Sequence, residues 1–196
     1  MTRALALVAL IAGLGGCRAL PVRSAAGPDA AARAALAALD AWHAAGRVAV
    51  RAGNEGFSAS FDWREAGGAG ELGVRGPFGA GAVLIHRSAE RILIESGSAP
   101  PLEVEAPFTA LEPELTARLG FPLPLDPLRY WVRGVPAPDL PAAGAGGDFS
   151  QAGWHVAVSE FVPVAGAPGP LPARLVLTRE ATRIRVIVDR WQVGGS

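Results

Sequence analysis

From Arg47 onward, apolar and polar residues alternate with a period of two. In "FSASFDWRE", Phe57, Ala59, Phe61 and Trp63 share one side, and Ser58, Ser60, Asp62 and Arg64 share the other. Such alternation predicts an antiparallel strand with one buried and one wet face. Val48 and Val50 alternate with Arg47 and Arg51 just before it. "GELGVRG", "AGAVLIHRS" and "ERILIESG" follow as strands joined by glycine-rich turns, and "GWHVAVSEF", "ARLVLTRE" and "TRIRVIVDRW" read as strands near the end. In the last, Ile184, Val186 and Val188 oppose Arg183, Arg185 and Asp189, which leaves Trp191 on the polar side. That mismatch predicts a bulge near Arg190, or a helix over that face.

The period changes to a helical one in three places. "DAAARAALAALDAWHAAGR" carries Leu36, Leu39 and Trp42 or His43 on one stripe, with Asp29 as N-cap and Gly46 as C-cap. "FTALEPELTARLG" spaces Leu111, Leu115 and Leu119 at one helical turn, with Gly120 to end it. "PLPLDPLRYWVRG" offers Asp126 as N-cap, Pro127 at the first helical position, an apolar side of Leu128, Trp131 and Val132, and Gly134 as terminator. "VPAPDLPAAGAGGD" reads as a flexible loop. The expected fold is therefore mainly β (α+β), one antiparallel sheet with helical interruptions. A sheet this long tends to curl. Curled under a helix, it encloses an apolar cavity unless bulky side chains fill it. Strand alternation turns Phe61 and Trp63 toward that space.

Composition narrows the class. The chain has 196 residues, half of them hydrophobic and 18% charged, which suits a folded domain with a core. The 25 glycines and 17 prolines favour many turns over long helices. Acidic and basic residues balance at 18 each, all the basic ones Arg, so no strongly basic surface marks a nucleic-acid binder. The single cysteine, Cys17, excludes an intramolecular disulfide. It follows Thr2-Arg3, an apolar run from Ala4 to Leu14, and "LGGC". The run is shorter than the roughly 20 residues that span a bilayer. It fits the hydrophobic region of a signal peptide. The expected organisation is a signal peptide over 1–16, a tether over 17–28 and one domain over 29–196.

Catalytic chemistry finds little support. His43, His86 and His155 form no metal-ligand spacing, and there is no nucleophile elbow, Walker or dinucleotide glycine pattern. Neither catalysis nor a cofactor is expected. One turn stands out instead. "GVRGPFGAGAV" sets the bulky Phe78 among Gly76, Pro77, Gly79 and Gly81, where small and polar residues are usual.

The order of these segments carries a resemblance. "LGGC", "FSASFDW", "GPFG", "GFPLPLDPLRYWVRGVPAP", "FSQAGWHV", "LPARLVLT" and "RIRVIVDRW" together resemble the LolB family, the outer-membrane receptor of the lipoprotein localisation pathway. The resemblance implies an incomplete antiparallel β-barrel with a helical lid around a hydrophobic cavity. It implies lipid on Cys17, with Arg18 permissive for export to the outer membrane, where the chain would face the periplasm as a monomer. It implies three partners: a periplasmic lipoprotein carrier, acylated lipoprotein cargo and outer-membrane lipid. Gly76, Pro77, Phe78 and Gly79 occupy the place of the family's membrane-insertion loop. Trp131 and Trp154 stand where matching motifs place cavity or core tryptophans, beside Phe61 and Trp63. An alternative is a half-barrel lipoprotein that carries another amphiphile.

Overall fold

A computed structural model of the protein describes residues 26–77, 81–97, 99–106, 111–119 and 122–194. The chain opens with helix α1 (Ala30–Ala37). Six strands follow: β1 (Trp42–Ala52), β2 (Glu55–Ala66), β3 (Ala69–Arg75), β4 (Val83–Arg87), β5 (Arg91–Ser96) and β6 (Ala99–Glu105). Helices α2 (Leu111–Leu119) and α3 (Leu125–Trp131) come next. The last strands are β7 (Ala142–Ala145), β8 (Asp148–Gln151), β9 (Trp154–Val162), β10 (Leu171–Arg179) and β11 (Thr182–Val193). All eleven strands form one antiparallel sheet in the order β6-β5-β4-β3-β2-β1-β11-β10-β9-β8-β7. Its ends, β6 and β7, do not pair with each other. The sheet is an unclosed barrel wall, and α2 and α3 bury Leu111, Leu115, Leu125, Leu128 and Trp131 in the same core as its inner face.

The alternation of β2 is real: Ala59, Phe61 and Trp63 are buried, while Ser58, Ser60 and Arg64 are exposed. The bulge near Arg190 is also present. Ala45 faces Arg190 and Gly46 faces Val188, so Asp189 is the extra residue. The bulge switches the parity of β11 and brings Trp191 to the inner side, 5.7 Å from Trp42. The displaced Asp189 accepts two hydrogen bonds from Arg47, at 2.9 and 3.0 Å, which hold its carboxyl below the usual carboxylate range.

Four expectations need correction. Helix α1 ends at Ala37 and does not reach Gly46. Trp42 to Arg47 are strand, because β11 and β2 pair with them on both sides. Ladder pairing overrides the helix propensity of alanine there. Gly46 is not a helix cap: a Cβ on it would come 2.0 Å from the Ile187 carbonyl oxygen, so it is the close approach at the bulge that demands glycine. Helix α3 begins one residue before Asp126, with Pro124 at the N-cap; Asp126 sits in the first turn and meets Arg129 at 3.5 Å. The loop after Pro136 contains β7 and the start of β8. Strand β6 carries Pro100 and Pro101, which an edge strand tolerates. Asp29 does cap α1, accepting from Ala32 N at 2.8 Å, and Gly134 does close α3 with φ of 76°.

Candidate functional site: an apolar cavity beneath α3

Between the inner face of the sheet and α3 lies a cavity of about 110 Å³. Its wall is built by alternation. Val48 and Val50 come from β1, Phe57, Phe61 and Trp63 from β2, and Ile184 and Val186 from β11. Leu72, Val74, Val83 and Ile85 of β3 and β4 continue it, and Leu123, Leu128 and Val132 form the roof. Among the described residues, every lining side chain is apolar. Phe57, 45% exposed, marks the open end.

The inner end is closed by aromatic packing. Trp63 meets the Trp42 ring edge-on at 5.2 Å. Its indole N–H donates to Glu65 Oε1 at 2.9 Å, and the other carboxylate oxygen of Glu65 accepts from the Arg87 guanidinium. Glu65 is buried and Arg87 partly buried. Two formal charges therefore stop the apolar channel at that end while keeping each other neutralised.

Trp131 and Trp154 are not among the lining residues. Their rings lie 6.4 Å apart in the core next to the cavity, and both are fully buried. Trp131 fixes α3 to the sheet through a residue the sequence reading did not single out. Gln151, 2% exposed, accepts from Trp131 Nε1 and from the Ala137 amide, both at 2.8 Å. Its own amide donates to the carbonyls of Ala137 at 2.9 Å and Leu140 at 2.8 Å. All of its polar capacity is directed to fastening the α3 exit. The available signal was its position: Gln151 has the buried parity of β8, as Phe149 does.

Arg133 is the second fastener. It is 2% exposed and donates to the carbonyls of Leu36, at 2.7 Å, and Leu39, in the last turn of α1 and just beyond it. Its guanidinium stacks 4.8 Å from the Tyr130 ring centre, and burial pushes its pKa down to about 10. It remains charged at neutral pH. Through Arg133, α1 is tied to the end of α3, and Leu36 packs with Val135 and Leu171 in a small separate cluster. The N-terminal helix thus buttresses the roof rather than covering the cavity.

Gly76, partly buried, and the exposed Pro77 follow directly on β3. Cys17, Phe78 and Gly79 lie outside the described residues. His43, His86 and His155 each stand within 3.0 to 3.8 Å of a carboxylate, Asp62, Glu95 and Asp148 respectively. Among the described residues no group of three or more His, Cys, Asp or Glu side chains is placed to hold a metal ion.

An open antiparallel wall around an all-apolar cavity, roofed by a fastened helix, defines a binder of apolar chains. The family described as "Outer membrane lipoprotein LolB" matches residues 40–191, and the chain belongs to that family. An outer-membrane lipoprotein LolB of Halorhodospira halophila is 35% identical over 157 residues, covering 76% of this chain and 74% of the relative. One from Chromohalobacter salexigens is 31% identical over 196 residues, covering 96% and 88%. Among solved structures, a DUF1329 family protein from Desulfovibrio piger superposes with a TM-score of 0.51 over 87% of this chain and 95% of that one, at 9% identity, and shares the fold alone.

Proposed function

We propose that the protein is an outer-membrane lipoprotein receptor that takes acylated lipoproteins from a periplasmic carrier and passes their acyl chains to the outer membrane. The observation that carries this is the cavity wall, apolar at every lining residue and open beside Phe57. Such a wall binds hydrocarbon by burial, worth about 0.8 kcal/mol per CH₂ group, and offers no group for chemistry. Family membership supports lipoprotein cargo and a periplasmic carrier as its partners.

The cavity, about 110 Å³ with its mouth at Phe57, is smaller than the roughly 300–1,000 Å³ of ordinary ligand sites. Cargo therefore requires the roof to lift. Gln151 and Arg133 fasten the C-terminal end of α3, so the movable part is the side that carries Leu123 and Leu128. Lipid on Cys17 holds the protein at the membrane, and the Gly76-Pro77-Phe78-Gly79 turn enters the lipid interface during delivery. Transfer runs downhill in affinity from carrier to cavity to bilayer, with no nucleotide.

The test is a two-step transfer: acylated cargo on its carrier, mixed first with the receptor and then with liposomes. Cargo should move to the receptor in the first step and to the lipid in the second. Cargo that stays on the carrier in the presence of folded receptor contradicts the proposal.

A further inference from the structure

The outer face of the sheet carries an arginine cluster that the cavity does not explain. Arg51 of β1 and Arg183 of β11 are direct cross-strand partners, and Arg185 is paired to Ala49, diagonal to Arg51. All three are exposed. Like charges placed opposite each other destabilise a sheet. On β1 and the neighbouring β10, Arg47 is neutralised by Asp189, Arg174 by Glu160 and Arg179 by Glu112, while Arg190, which also forms no ion pair among the described residues, stands alone toward the opposite end of β11. Among the described residues, Arg51, Arg183 and Arg185 have no carboxylate partner, and the adjoining Glu55 and Glu180 form no ion pair with them. Their cross-strand neighbours on β2 and β10 are Gly56, Ser58, Val176 and Thr178, all uncharged.

The position of the cluster matters as much as its charge. The registers place the β1–β2 turn, the β10–β11 turn and the exit of β3 at the same end of the sheet. Phe57, the exposed mouth residue of the cavity, faces Val50, one step from the pair Arg51 and Gly56. Cationic groups thus stand on the outer side of this end, and apolar surface on its inner side. A bilayer has the complementary arrangement, anionic phosphate above hydrocarbon.

We propose that Arg51, Arg183 and Arg185 dock this end of the sheet on an anionic phospholipid surface, guanidinium to phosphate, with the cavity mouth turned toward the acyl region. The proposal rests on the receptor reading above, and names the lipid chemistry that the delivering end recognises. Near an anionic membrane surface each arginine contributes about fivefold in binding, so the three together give on the order of 100-fold.

The core runs from Leu36 to Val188, so a chain beginning at residue 18 carries all of it without the lipid anchor. Its binding to phosphatidylcholine vesicles with and without phosphatidylglycerol is measured by co-sedimentation, at low and high salt. Wild type should bind the anionic vesicles more tightly, and lose that preference as salt screens it. R51Q/R183Q/R185Q should lose the preference, on the order of 100-fold, and R51K/R183K/R185K should keep most of it. Neither should unfold, since these side chains are outside the core. A glutamine variant that binds anionic vesicles as wild type does, or a wild type indifferent to phosphatidylglycerol, overturns the proposal. Uptake of cargo from the carrier is measured on the same preparations. Lost uptake with intact vesicle binding in the glutamine variant would assign the face to the carrier, and overturns the lipid assignment. A wild type that takes up no cargo yet shows the arginine-dependent lipid preference refutes the receptor reading and leaves this one standing.

Discussion

Replacing Gln151 tests how the roof is held. In Gln151→Ala, the Trp131 indole N–H and the Ala137 amide lose their acceptor, and the carbonyls of Ala137 and Leu140 lose their donor. Trp131 is 0% exposed, so water does not substitute for the lost partner on the indole. Each of the two buried donors left unpaired costs about 1–3 kcal/mol, and the carbonyls add less, so the expected loss is about 2–6 kcal/mol. For a domain of this size that lowers the melting temperature by roughly 4–24 °C. Gln151→Glu sharpens the test. One carboxyl oxygen still accepts from Trp131 and Ala137, but the other then faces two carbonyls and needs a proton. Burial and those carbonyls raise the folded-state pKa of the new carboxyl above its unfolded value. The stabilising protonated form is fully present below the unfolded pKa, about 4.3, and is lost as pH rises through the folded pKa. Urea unfolding from pH 4 to pH 8 should show the variant near wild type in acid and increasingly destabilised above it. An alanine variant that loses less than about 1 kcal/mol, or a glutamate variant with no pH dependence relative to wild type, would refute the fastening role.

Three other outcomes are expected. Val186→Phe places a ring in the cavity; stability should hold or rise by about 0.5–2 kcal/mol, while uptake of acylated cargo falls, as followed by carrier-to-receptor transfer. Cys17→Ala should abolish incorporation of radiolabelled palmitate, and label retained at the wild-type level would remove the lipid anchor from the account. Phe78→Glu should leave folding and uptake intact and stop delivery into liposomes, because a charge opposes entry into the lipid interior; Phe78→Leu should deliver. A glutamate variant that delivers normally would take the turn out of the mechanism.

Much of the sheet was legible because one wet face enforces alternation. β2 and β11 show it, and the parity fault at Trp191 predicted a bulge near Arg190, or a helix over that face, where the structure has a bulge at Asp189. The edges were not legible. β6 contains two prolines and β7 is Ala-Ala-Gly-Ala, so neither carries a two-residue hydrophobic period. Among the described residues, each is held only by hairpin closure onto its sequence neighbour, β6 onto β5 and β7 onto β8. The overlong α1 has a similar cause: alanine suits a helix locally, and the partners that hold Trp42 to Ala45 as strand lie about twenty residues on, at Asp62 to Glu65, and well over a hundred residues on, at Arg190 to Val193.

At the site, the two residues placed by alternation, Phe61 and Trp63, line the cavity, whereas Trp131 and Trp154, placed by motif, stand beside it. The polar fasteners were overlooked although their signal was present. Glu65 and Gln151 each occupy the buried parity of a strand, where a polar residue requires a partner. Arg133 gives no such signal, because its partners are carbonyls of α1 nearly a hundred residues earlier.

The central claim is that acyl chains lie against the inner face of β2. Photo-crosslinking at two adjacent positions tests it most directly. Phe61 points into the cavity, and Ser60 points outward, donating its hydroxyl to the Arg75 carbonyl. With a benzophenone amino acid at position 61, acylated cargo should form an adduct through its lipid; with the same group at position 60, it should not. Cargo that is bound by the protein but crosslinks at 60 and not at 61 would contradict the account.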